Sequence, residues 1–133
     1  MEEKHNNATA QRPAGARPLD AAIIPIDIPK YISELKQEEA YNKNGKNAIT
    51  VFKSDKITIT LIALKEGEDF HPGQSEGEAI MSIQLINGHL SFESLGTVTK
   101  LTEGQLLTLH QELSFTALAI SDSICLLTLF KGH

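Results

Sequence analysis

The residues that could do chemistry gather in one stretch, 67–90, "GEDFHPGQSEGEAIMSIQLINGHL". It offers His71, Gln74, Glu76 and Glu78, and a further histidine, His110, follows at the end of "QLLTLH". A first-row divalent metal needs about three imidazole, thiolate or carboxylate donors converging on one point. His71, Glu76 and His110 are one set that would meet that need. The plainer reading makes His71 a surface loop histidine and "SEGE" a solvated charge run. Nucleophilic chemistry has less to work with. Ser75 lies near His71 but has no acidic orienter in a strained turn, and neither a G-x-S-x-G elbow nor a phosphate-binding loop is present. The single cysteine, Cys125, lies in an apolar run and reads as a buried core thiol. One cysteine supports neither an internal disulfide nor a thiolate cluster.

The elements that must position these residues are mostly strands. The chain has 133 residues, enough for one domain with a real core. Its formal charge of −5 argues against a nucleic-acid surface, which needs a basic stripe. No apolar run is long enough to span a membrane, and the N-terminus lacks the apolar core of a secretory signal, so a cytoplasmic protein is expected. Residues 1–18 are polar and read as a disordered N-terminal tail, leaving 19–133 as one domain. Prolines at 18, 25 and 29 keep "LDAAIIPIDIP" extended. A short helix is expected over 29–39, with Ile28, Ile32 and Leu35 on one face and Tyr31 beside them. "NKNGKN", 42–47, should break the chain. From 48 to 131, eight runs at 48–54, 56–66, 78–86, 89–94, 97–101, 105–110, 114–120 and 124–131 read as strands of an antiparallel sandwich or barrel.

Asn87-Gly88 is a strong two-residue hairpin signal. A hairpin there sets Ile86 opposite His89, Leu85 opposite Leu90 and Ile83 opposite Phe92. Met81, Ile83, Leu85, Leu90 and Phe92 then share an inward face. Ser82, Gln84, His89, Ser91 and Glu93 share a wet one.

This order of elements resembles a small single-domain cupin. The matching parts are "G-x3-H", the "NG" turn, "EGQLLTLH" and the closing "SFTALAISDSICLLTL", and the likeness covers about 27–130. It implies an all-β fold, the double-stranded β-helix or jelly-roll barrel, preceded by one short N-terminal helix, and it implies dimers. Cupins usually hold a divalent metal through three histidines and one glutamate, carried on two motifs. Setting the last glycine of the first motif on Gly88 puts its glutamate at Met81 and its two histidines at Glu76 and Gln74. With Gly104 leading the second motif, the third histidine falls at Phe115. None of the four positions carries its usual residue.

The expectation is therefore a barrel with no metal at the usual position and no cofactor. It would be a structural module or would take a small molecule among Gln74, Glu76, Met81, Phe115, His71 and His110. The alternative is a metal-dependent isomerase or dioxygenase built on His71, Glu76 and His110. A homodimer is expected as well. The closing strand "ICLLTLFK" is apolar on both faces, so something must cover the second one. The helix or a partner subunit aided by the "AAIIPI" arm, residues 21–26, would serve.

Overall fold

The computed structural model describes residues 4–6, 17–71, 79–110 and 113–131. In chain order the elements are β1 (Lys4–Asn6), β2 (Arg17–Asp20), α1 (Ile28–Gln37), α2 (Glu39–Asn44), β3 (Lys46–Lys53) and β4 (Ile57–Leu64). Then follow β5 (Asp69–Phe70), β6 (Ala79–Asn87), β7 (His89–Ser94), β8 (Thr97–Thr102), β9 (Leu106–His110), β10 (Phe115–Ala119) and β11 (Ser123–Lys131). Two antiparallel sheets form the barrel. One has the order β3-β4-β11-β6-β9 and the other β5-β10-β7-β8, so the jelly roll expected from sequence is present. The short strands β1 and β2 pair with each other across the stretch read as a tail.

Period-2 alternation fills the space between the sheets. Met81, Ile83, Leu85, Leu90 and Phe92 all point inward and are buried, as the face division requires. They pack with Ile62, Leu64, Leu101, Leu109, Phe115, Ala117 and Cys125. Ser82, Gln84, His89, Ser91 and Glu93 lie outside this core.

The hairpin assigned to Asn87-Gly88 does not form. β6 pairs with β11 and β9, whereas β7 pairs with β10 and β8. The partner of Leu85 is Cys125, and the partners of Leu90 are Ala119 and Leu101. Asn87-Gly88 is instead the corner at which the chain leaves one sheet for the other. Gly88 takes φ 95°, and β6 skips register against β11 between Leu85 and Asn87. That bulge at Ile86 and the left-handed glycine together swap the inward parity, just as a two-residue hairpin would. The face pattern is therefore blind to the difference. Ser123 locks the corner: its hydroxyl accepts from the His89 N–H at 3.1 Å and donates to the Ser121 carbonyl at 2.8 Å.

The helices form a third layer on the outside of the five-stranded sheet. Asp27 caps α1 by accepting from the Lys30 N–H at 3.1 Å, and Pro29 sits in the first turn, where its missing donor costs nothing. Ile28, Tyr31, Ile32 and Leu35 lie on Ile49, Val51, Leu61, Ala63 and Ile124. "NKNGKN" does not simply break the chain. Its first residues complete α2, and Gly45 at φ 79° ends it by donating to the Tyr41 carbonyl at 3.0 Å. Asn47 then ties the layer to β3, donating to the Leu35 carbonyl at 3.1 Å and to Glu38 Oε1 at 2.7 Å. β11 thus has two dry faces for a visible reason. Cys125, Leu127 and Leu129 face the barrel, whereas Ile124 and Leu126 face the helices.

Candidate functional site

The two metal-ligand positions that fall on described residues are both core. Met81 is 1% exposed and Phe115 is 5% exposed, and both belong to the apolar cluster between the sheets. Phe115 stacks on Phe92 with ring centroids 4.7 Å apart, and Phe70 meets it edge-on at 6.2 Å. An aromatic cluster thus occupies the level of the barrel at which the resemblance would put a third histidine. Gln74, Glu76 and Glu78 lie outside the described residues.

His71 and His110 are not brought together. His71 follows β5 and is exposed at the barrel mouth. His110 pairs with Ile80 in the β6–β9 ladder. The adjacent pair, Met81 with Leu109, is buried in the core, so alternation turns Ile80 and His110 to the outer face. His71 and His110 therefore do not converge inside the barrel, and Glu76, the third member of the expected set, lies outside the described residues. No group of three or more metal-binding side chains occurs among the described residues. Cys125 is the core thiol expected from its context. Burial pushes its thiol up to about 12, which leaves no thiolate for nucleophilic work.

The feature that could hold a ligand lies to one side. A cavity of about 500 Å³ opens between the edges of the two sheets. Its walls include Lys46 and Ala48 of β3, Ile62 and Leu64 of β4, Phe70 of β5, and His71. Its origin is topological. β3 is the edge of one sheet, and β5, the facing edge of the other, is only two residues long. The barrel wall is short on that side. Lys46 pairs with Leu64 and Ala48 with Ile62, so both β3 residues point the same way as the core residues beside them, yet both are exposed. The Lys46 ammonium is held at the rim, donating to the Asp69 carbonyl at 3.1 Å.

Lys46, Ala48 and Phe70 were not among the residues singled out from sequence. A signal was available. In "KNAITVFK" Asn47, Ile49 and Val51 share one face, and the opposite face reads Lys46, Ala48, Thr50. A strand with its dry face under helices and a wet face toward the barrel marks an opening. The signal is weak, because the same pattern describes any strand with one solvated face.

No family model matches the sequence, and no curated protein matches it. Solved structures do. The Cnp3 cupin domain of Schizosaccharomyces pombe superposes with a TM-score of 0.66 at 10% identity, over 99% of this chain and 89% of that one. A conserved protein of unknown function from Streptococcus pyogenes gives 0.63 at 17% identity, over 86% of this chain and 91% of that one. An RmlC-like cupin protein from Desulfovibrio desulfuricans gives 0.62 at 19% identity, over 68% and 86%. At these identities the likeness shows the fold, and the fold is that of the cupins.

Proposed function

We propose that this cupin-fold barrel is a small-molecule-binding module that works without a metal at the usual cupin position. The observation that carries the reading is the cavity at the β3–β5 edge. Its volume is within the range of about 300–1,000 Å³ typical of small-ligand sites, and it is mostly apolar with a few polar groups at the rim. The apolar residues at Met81 and Phe115 support a binding role over metal chemistry, since a metal beside them would lack the outer partners that orient its ligands.

A fragment screen followed by amide chemical shifts tests this. Binders should perturb Ile62, Leu64 and Phe70 together. Ala48→Phe should fill the opening and weaken such binders at least tenfold. Ala48 is exposed, so folding stability should change by no more than about 0.5 kcal/mol. If no fragment perturbs those amides, or if Ala48→Phe leaves binding intact, the cavity is not a ligand site.

We also propose a two-fold homodimer. The helix layer covers Ile124 and Leu126, but the outer row Ile57, Phe130, Ile80 runs across three adjacent strands beyond it. Ile80 and Phe130 are each 43% exposed. Ile23, in the arm at 21–26, is exposed as well. Light scattering at micromolar concentration should give twice the 14.5 kDa chain mass, and Ile24→Asp should halve it without loss of solubility. A wild-type mass of one chain would rule the dimer out.

A further inference from the structure

We infer that the cavity at the β3–β5 edge selects small apolar monoanions, with Lys46 as the group that reads the charge. The inference rests on the binding role proposed for that cavity and adds the class of ligand. The floor is apolar: Ile62 and Leu64 from β4, with the Phe70 ring at the side. Lys46 is the one residue of formal charge among the described lining residues, and His71 adds an imidazole at the same mouth.

The state of Lys46 matters most. Its ammonium donates to the neutral backbone carbonyl of Asp69, at 3.1 Å. A carbonyl takes one of the three ammonium protons and leaves the other two to donate. Among the described residues no carboxylate forms an ion pair with it. The Asp69 side chain is directed elsewhere: Asp69 pairs with Leu118, which is exposed on the outer face of the four-stranded sheet. The 3.1 Å bond thus fixes the ammonium at the rim without neutralising it.

A ligand that fits has an apolar body of a few carbons lying on Ile62, Leu64 and Phe70, and one anionic group at the rim. Hydrogen bonds to a charged group are roughly twice as strong as neutral ones, so the charge should dominate selection among molecules of one shape. A cation of the same shape meets Lys46 as a like charge. The chain's overall charge of −5 would repel anions at long range, so the preference must arise locally and should persist at moderate salt.

Matched probes test it on the full chain. Hexanoate and benzoate are titrated against hexanamide and benzamide, with hexylamine as the cationic member. Shifts are followed at the amides of Ala48, Ile62, Leu64 and Phe70. The carboxylates should bind at least tenfold tighter than their amides, and hexylamine should bind weakest. Lys46→Met keeps the apolar stem and removes the charge. It should bring carboxylate and amide within about twofold of each other, chiefly by weakening the carboxylate. Carboxylates and amides that perturb the same residues with equal affinity overturn the anion inference and leave the binding role standing. Absence of any perturbation there overturns the binding role itself. A carboxylate preference that survives in Lys46→Met assigns the charge reading to another residue and also overturns the inference.

Discussion

Gly88→Ala should cost the protein a large part of its stability. Gly88 has φ 95°, a region that costs a residue with a Cβ about 1–2 kcal/mol. A methyl group placed there would lie 2.3 Å from the Asp122 carbonyl oxygen, 2.4 Å from Ser123 Oγ and 2.8 Å from Ser123 Cα. Two of those atoms are backbone, so no side-chain rotation relieves the overlap. Overpacking of this kind adds about 1–3 kcal/mol, and the corner cannot open without breaking the Ser123 bridge to His89. With about 1 kcal/mol for that hydrogen bond, the expected total is on the order of 3–6 kcal/mol, a large part of the roughly 5–15 kcal/mol that holds a domain folded. Gly96 is the control. Its φ is 76°, but nothing lies within 4 Å of a Cβ there. Gly96→Ala should therefore show the backbone penalty alone, about 1–2 kcal/mol. Urea unfolding of the two variants side by side decides the matter. Equal losses would mean that β6 and β11 do not approach as closely at the corner as described.

Phe115→Ala should have the second-largest effect, about 3–5 kcal/mol by comparison with other buried aromatic truncations. The ring is the middle member of the aromatic cluster, stacked on Phe92 and edge-on to Phe70, and it joins residues of three strands of one sheet. Ala117, its neighbour on the same face, is fully buried and too small to fill the gap. The void should therefore persist and not collapse. Denaturant titration would measure the loss. A cost below about 1 kcal/mol would mean that the ring is not packed in the core, and would reopen this position as a place for a ligand donor.

Legibility of the sequence followed the range of the interactions involved. The inward set from Met81 to Phe92 and the apolar face of α1 were readable, because alternation and helical spacing are local and each residue reports its own face. Pairing was not. Asn87-Gly88 satisfies the chemistry of a tight hairpin and of a sheet-to-sheet corner equally, and only the distant Ser123 distinguishes them. The same limit applied to the candidate site. Met81 and Phe115 could be placed inside because each sits in a strand pattern. His110 was grouped with His71 although parity within "QLLTLH" sets it opposite to the inward Leu109. The cavity itself arises where two sheet edges meet, and β5, one of those edges, is too short to leave a pattern.

The position of β11 bears on how the barrel is made. It is the middle strand of the five-stranded sheet, paired along nearly its whole length with β4 on one side and β6 on the other. It is also the last of the described elements in chain order, so Ile57 to Leu64 must wait through some sixty residues of synthesis for their partner. During that interval β4 and β6 carry unpaired edges and apolar faces. Topologies dominated by such distant pairings fold in about milliseconds to seconds, slowly for a domain of this size. The sheet should consequently gain its protection from hydrogen exchange in one late step as β11 docks, while the capped helix α1 can form early. Until then "ICLLTLF" is an uncharged segment of high strand propensity, the type of sequence that associates between chains. Yield from the ribosome should thus respond to chaperone capacity and to the rate of translation before it responds to the final stability of the barrel.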